Sequence, residues 1–401
     1  METIKRESYL KTLRAVRDTN LIKTLTGIRR CGKSTILTMY KDELLSEGIS
    51  PKQIQFISFE DPDINTMPWK DIYDKIDDGL IKNKKNYIFL DEIQLVESFE
   101  KILLGLQSKS NVDLYITGSN AYLLSSELAT LLSGRTFEIK VYPFSFQEFS
   151  LAMKDDDKSI EAKFNDYLLY GGFPQAVMLF KMEPQLIDQY LTGVFETIIS
   201  RDILNRGKVA NRQILEKVSK FLMQNIGNFV STQKIQDTFN SSGVRTSFHT
   251  ISKYVDALEE SFLFYPVQRL HLQGKEILKT QEKLYLADTG LRNALIGREA
   301  DVDRGHLLEN IIYFELLRRN KNVWVGKTNR REIDFVTQDN DGYTSYYQVA
   351  WTVTEEATLE RELKPLKSVK DYSARYLITM DYDEPTYDGI RKINALKWLL
   401  D

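Results

Sequence analysis

Between residues 21 and 149, short apolar runs alternate with stretches whose apolar residues recur at helical spacing. The runs 21–26, 54–59, 87–90, 114–117 and 137–141 read as strands, and helical patterns begin at Lys33, Trp69, Phe99 and Tyr122. Such alternation predicts an α/β fold in which helices cover a parallel sheet. From residue 150 to 207 the pattern is mostly helical, broken at Gly171-Gly172-Phe173-Pro174. Short helices follow. One carries Leu215, Val218 and Leu222 on a single face; another, 247–260, aligns Phe248, Ile251, Val255 and Leu258, and an extended segment at 262–269 comes after it. The C-terminal stretch is mixed again: a helix at 304–319, strands near 323–326, 332–336 and 346–351, a helix at 355–369 and a strand at 375–379.

Length changes this picture only by dividing it. A chain of 401 residues is too long for one core, so two to four domains are expected. Apolar residues at 42% and charged residues at 28% fit a soluble globular protein, and no apolar run reaches the roughly 18 residues a membrane span needs. The opening residues, 1–7, lack the apolar core of a signal peptide. Cys31 is the single cysteine, so no internal disulfide forms, and a reducing cytoplasm is the expected compartment. Three histidines leave little material for a zinc site. A net charge of −3 means that any nucleic-acid contact has to come from a local basic patch.

Candidate chemistry concentrates where strands end. Gly27-Ile28-Arg29-Arg30-Cys31-Gly32-Lys33-Ser34 follows an apolar strand and opens a helix. That context lets backbone N–H groups and a helix N-terminus face phosphate oxygens. Lys33 is expected on the β- and γ-phosphates of ATP and the Ser34 hydroxyl on magnesium. Gly27, Arg30, Cys31, Gly32 and Thr35 complete the expected nucleotide cradle, with Cys31 read as a tolerated small residue rather than a redox switch. The strand at 87–90 ends in Asp91 and Glu92. Asp91 is expected to hold magnesium and Glu92 to act as the general base on the attacking water; Glu60, after the neighbouring strand, is the next candidate base. Ser119 and Asn120 follow another strand and are candidate γ-phosphate sensors. Arg135 either stabilises transferring phosphate, from its own or a neighbouring subunit, or is a solvent-facing surface arginine.

These residues resemble those of the prokaryotic AAA-superfamily ATPases fused to a C-terminal region of unknown function. The resemblance rests on the phosphate loop, Phe89-Leu90-Asp91-Glu92-Ile93-Gln94, Thr117-Gly118-Ser119-Asn120 and Ser133-Gly134-Arg135-Thr136. Further along it rests on the motif from Tyr142 to Phe149, Gly171-Gly172-Phe173-Pro174, Arg201-Asp202-Ile203 and the run from Lys283 to Leu291. It implies an ATPase domain at 1–150, a helical segment at 151–210, a winged helix at 211–290 and a restriction-endonuclease-like domain at 291–401. From the residues themselves ATP and magnesium are the expected cofactors and no membrane contact is expected; a DNA or protein partner for the C-terminal domains, and homo-oligomerisation, stay open.

Within the expected winged helix, Arg245, His249 and Lys253 could face a DNA groove, while Asp256 and Glu260 on the same stripe would repel phosphates. Protein docking and a purely structural role stay open beside DNA contact. In the last domain Glu309 and Asp334 occupy the carboxylate positions of a metal-dependent nuclease. Gln348 and Ala350 stand where a Glu-x-Lys pair belongs, which predicts a degenerate, non-cutting domain. Three functional readings follow: an ATP-hydrolysing switch, a DNA-binding module with a regulatory nucleotide site, and an ATP-dependent nuclease that Gln348 and Ala350 disfavour.

Overall fold

The computed structural model describes residues 4–401 apart from 120–131, 133, 207, 208, 210, 273, 275, 299, 329 and 330. The chain falls into two compact units, Met1–Tyr142 with Glu260–Phe262, and Pro143–Glu259 with Leu263–Asp401.

The first unit begins with helix α1, Glu7–Ala15, which buries Tyr9, Leu10 and Leu13 along one face. Strand β1 (Ile22–Thr26), helix α2 (Lys33–Ser46), β2 (Ile54–Ser58), α3 (Trp69–Asp78), β3 (Asn86–Asp91), α4 (Phe99–Gln107), β4 (Val112–Gly118) and β5 (Thr136–Lys140) follow. The sheet order is β2-β3-β4-β1-β5, and every pairing is parallel. Burial explains the strand sequences. Strands β1, β3 and β4 are buried along their whole length, as interior strands of a parallel sheet covered on both faces must be. Ile72, Ile76, Ile102, Leu103 and Leu106, from α3 and α4, pack on Ile88, Leu90, Leu114 and Ile116 of the sheet. The registers Thr26↔Gly118, Leu90↔Ile116 and Ser58↔Asp91 bring the C-terminal ends of four strands to one edge. Residues just after each strand are therefore neighbours in space, although far apart in sequence. The expected strands and three of the four helix starts are present; the start at Tyr122 lies outside the described residues.

The second unit opens with helices α5 (Phe146–Ala152), α6 (Ile160–Tyr170), α7 (Pro174–Met182) and α8 (Ile187–Thr197), the last running into a π-helical turn, Ile198–Ile203. Then come α9 (Arg212–Gln224), β6 (Phe229–Val230), α10 (Thr232–Ser241), α11 (Phe248–Glu260), β7 (Phe264–His271), β8 (Glu276–Leu286) and α12 (Thr289–Ile296). Helix α13 (Ala300–Arg319) leads to β9 (Asn322–Lys327), β10 (Glu332–Gln338), β11 (Thr344–Val349), α14 (Glu356–Lys367) and β12 (Ala374–Thr379), with β13 (Thr386–Tyr387), β14 (Ile390–Asn394) and α15 (Ala395–Leu400) at the end. Among the described residues the strands form one sheet, β13-β14-β12-β11-β10-β9-β7-β8-β6. Strands from both sides of residue 290 share it, because β7 pairs in parallel with β9.

The glycine break between α6 and α7 is a packing device. Asp288 caps α12 through Leu291 N–H at 2.9 Å and accepts the Gly172 N–H at 2.7 Å. A side chain on Gly171, whose φ is +75°, would meet Asp288 Oδ1 at 2.1 Å, and one on Gly172 would meet the Phe144 carbonyl oxygen at 2.4 Å. Phe144 N–H donates to the Gly172 carbonyl at 2.7 Å, and the Tyr167 hydroxyl to the Phe144 carbonyl at 2.8 Å. Three separated motifs, around Phe144, Gly171 and Asp288, thus close on one point.

Candidate nucleotide site

The loop between β1 and α2 is built by its glycines. Gly27 sits at φ +146°, and a Cβ there would run into the Val141 carbonyl oxygen at 2.0 Å. Gly32 holds φ +106° as it caps α2, and exposed Arg30 also takes a left-handed conformation at φ +68°. Lys33, buried at the first turn of α2, points its ammonium back over the loop and donates to the carbonyls of Gly27 at 3.0 Å and Ile28 at 3.3 Å. Cys31 is fully buried, and burial pushes its thiol up, so it remains a neutral apolar filler. Thr35 is exposed on α2, one residue beyond Ser34.

Two carboxylates face this loop from the end of β3. Asp91 Oδ1 accepts the Ser34 hydroxyl at 2.8 Å and the Thr117 hydroxyl at 2.6 Å. Burial pushes the Asp91 carboxyl above its usual range, against those two hydrogen bonds. Glu92 adopts φ +55° and sits 3.8 Å from the Lys33 ammonium. Gln94 Nε2 and the Ser119 hydroxyl donate to Glu92 Oε2, the latter at 3.0 Å. Burial works to raise the Glu92 carboxyl, but Lys33 and Arg29 outweigh it and hold the group below the usual range. The Glu92 N–H donates to the Thr117 hydroxyl at 2.9 Å, so one threonine holds both acids.

Hard oxygen ligands from Ser34 and Asp91, side by side below a glycine-built anion loop, fit magnesium and a nucleotide polyphosphate. Ser34, Asp91, Lys33, Glu92 and Ser119 therefore converge as expected. Asn120 lies outside the described residues. Arg135 does not join this cluster within its own chain. Its carbonyl accepts the Ile22 N–H at 2.7 Å, and the parallel register Ile22↔Thr136 sets it at the opening end of β1, exposed. The phosphate loop leaves the other end of that strand, roughly 13 Å away at strand rise.

Sequence reading missed Thr117, Arg29 and Arg6. Arg29 reaches Glu60 Oε1 at 3.4 Å and the Ser119 hydroxyl at 3.5 Å. Arg6 is buried and donates to the carbonyls of Cys31 and Tyr142, both at 3.0 Å, tying the phosphate loop to the segment after β5. The available signal was the helical face Tyr9, Leu10, Leu13, which marks α1 as docked and draws its flanking residues inward.

Residues 19–150 match the model of an AAA domain, and residues 161–302 match a domain of unknown function, DUF8612. An uncharacterized protein of Haemophilus influenzae is 42% identical over 406 residues, 99% of this chain and 98% of its own length. The uncharacterized protein MJ1544 of Methanocaldococcus jannaschii is 28% identical, covering 88% of this chain and 79% of its own. Among solved structures, the Walker-type ATPase PABY2304 of Pyrococcus abyssi aligns over 73% of this chain and 96% of its own, with a TM-score of 0.54 at 14% identity, a likeness of fold. Sheet order, phosphate loop and acidic strand end define a P-loop ATPase domain of AAA type. The chain belongs to the same family as the Haemophilus influenzae protein, one in which that domain precedes a domain of unknown function.

Proposed function

We propose that this protein hydrolyses ATP and uses the nucleotide state as a switch on a protein or DNA partner engaged by the second unit. The observation that carries the reading is the meeting of Lys33, Ser34, Asp91 and Glu92 at one sheet edge, with Glu92 held ionised beside a lysine. In this scheme the N–H groups of the loop from Gly27 to Gly32, including those of Arg30 and Cys31, cradle the phosphates and Thr35 extends the cradle into α2. Lys33 takes the β- and γ-phosphates. Ser34 and Asp91 hold magnesium, which when bound neutralises phosphate charge. Glu92 accepts the proton of the attacking water, and a phosphate that draws Lys33 away raises its basicity. Ser119 and Asn120 are the polar sensors. Arg135 acts on a neighbouring subunit's nucleotide, since from the opening end of β1 it is out of reach of its own.

For the second unit, the order α9, β6, α10, α11, β7, β8 with antiparallel β6–β8 and β7–β8 pairs supports a winged helix at 211–290. The order α13, β9, β10, β11, α14, β12, with antiparallel pairs and then a parallel β11–β12 pair, supports a restriction-endonuclease-like core at 291–401. Gln348 and Ala350 leave that core without cutting chemistry.

Hydrogen exchange across residues 143–401 tests the switch, comparing Glu92→Gln with ATP against wild type with ADP. A switch gives nucleotide-dependent protection in the second unit; identical exchange in both states overturns it. A second reading, DNA binding with a regulatory nucleotide site, draws on the exposure of Arg245 shortly before α11 and of Phe248, His249 and Lys253 along it. Salt-dependent binding of duplex DNA that weakens in Lys253→Ala, with ATP turnover unaltered by DNA, favours that reading.

A further inference from the structure

The phosphate loop carries two adjacent arginines with opposite fates. Arg30, at φ +68°, is exposed, whereas Arg29 is 6% exposed and reaches across to the ends of two neighbouring strands. One of its nitrogens lies 3.4 Å from Glu60 Oε1, shortly beyond β2, and another 3.5 Å from the Ser119 hydroxyl, just beyond β4. That hydroxyl donates in turn to Glu92 Oε2 at 3.0 Å. Arg29 thus stands one hydrogen-bonded group away from the candidate base, on the sheet edge that also holds Ser34 and Asp91.

A guanidinium keeps its charge at any working pH, and taking it out of water is costly unless anions answer it. Glu60, with a side chain 49% exposed, is one carboxylate that does so, at a distance near the long end for a hydrogen bond. A phosphate group offers the planar fork two charged acceptors at once, a closer match than this half-exposed carboxylate. The charge of Arg29 is also felt at the base: burial works to raise the Glu92 carboxyl, and Lys33 and then Arg29 hold it down. Arg135, the arginine that the sequence singles out for transferring phosphate, cannot fill this place in its own chain, because it sits at the opening end of β1.

The geometry points to Arg29 as a catalytic residue of its own chain, a cation that leaves Glu60 for the terminal phosphate of ATP and stabilises that phosphate during transfer. The inference rests on the reading of this site as one that hydrolyses ATP. In that reaction the water oxygen bonds to the γ-phosphorus as the bond to the β–γ bridging oxygen breaks. Glu92 takes the water proton, and the electron pair of the broken bond leaves on ADP. Arg29 makes and breaks no covalent bond. It neutralises charge on the phosphate oxygens and, once engaged there, holds Glu92 down less, so the base strengthens only when the terminal phosphate is in place.

Calorimetric binding of ADP and of the non-hydrolysable analogue AMP-PNP, each with magnesium, together with single-turnover hydrolysis of ATP, tests the assignment in the full chain. Arg29→Ala should bind ADP within about twofold of wild type, bind the analogue about tenfold more weakly and hydrolyse bound ATP roughly 10³ times more slowly. Lys33→Ala, by contrast, should weaken both nucleotides. Mixing Arg29→Ala with Lys33→Ala chains should restore no turnover, because both defects fall in one site; recovery would overturn action within the chain. Should Arg29→Ala fail to melt cooperatively, Glu60→Gln reads the same point by binding alone. It removes the competing carboxylate and should tighten the analogue several-fold while leaving ADP unmoved, and the absence of any gain overturns the assignment. Wild-type turnover that Arg29→Ala retains, with the same preference for the analogue over ADP, overturns the role of Arg29 and leaves the ATPase reading intact. A wild type that binds both nucleotides without hydrolysing ATP ends that reading instead, and Arg29 then stands as a γ-phosphate ligand if Arg29→Ala erases the preference for the analogue, and falls if it does not.

Discussion

Thr117 illustrates how much a single hydroxyl can organise. It donates to Asp91 and accepts from the Glu92 backbone, so Thr117→Val keeps the shape and removes both links. The expected loss is on the order of 1–3 kcal/mol of stability, with the magnesium requirement for turnover raised several-fold. Wild-type melting together with an unchanged magnesium dependence would remove Thr117 from the site. Lys33→Ala acts differently. It leaves the fold in place and takes away the main cation at the phosphates, so the stabilisation by ATP and magnesium, about 2.7 kcal/mol at a hundredfold excess over Kd, should largely vanish. A thermal shift equal to that of wild type would contradict Lys33 as the phosphate ligand. The motif residues were legible because each chemistry needs a fixed type at a fixed spacing. Thr117, Arg29 and Arg6 were not, since their roles come from strand register and helix docking, which leave no local pattern.

At the level of elements, the periodicity of 2 and 3.6 residues marked the strands and most helices of the first unit within one or two positions of where they lie. Strand β8 escaped because polar residues fill much of it, and its inward lysine carries no signal until Glu309 and Glu332 are seen around it. The Gly171-Gly172 break was visible as a break, but not as the contact between Phe144 and Asp288. Gly172→Ala would drive a methyl into the Phe144 carbonyl and is expected to destabilise the second unit by about 1–3 kcal/mol; unchanged melting would show that the contact yields freely. Asp288 adds a pH signature, its carboxyl pushed by burial from 3.8 up to about 6. A raised carboxyl pKa means that the folded state holds the proton more tightly, so its stabilising share is full below 3.8 and is lost as pH rises through 6. The melting advantage of wild type over Asp288→Asn should therefore grow as pH falls from neutrality to about 4.5. A difference that stays flat would place the Asp288 pKa in its ordinary range.

For the whole molecule, two features decide how the parts cooperate. One is the sheet shared across residue 290, which makes the segments on either side of that position a single structural body. The other is the position of Arg135 at the opening end of β1, away from the phosphate loop. If Arg135 serves a neighbour, Arg135→Ala and Lys33→Ala chains are each nearly inactive alone but regain turnover when mixed. One site then pairs an intact Lys33 with an intact Arg135 from the other chain. No recovery at any mixing ratio would assign Arg135 a structural role. The central claim, that Glu92 performs chemistry at a cradle formed without it, is met most directly by single-turnover hydrolysis of bound ATP in wild type and Glu92→Gln. The variant should bind ATP as tightly as wild type and hydrolyse it about 10² times more slowly or worse; equal rates for the two proteins would contradict it and pass the role of base to Glu60.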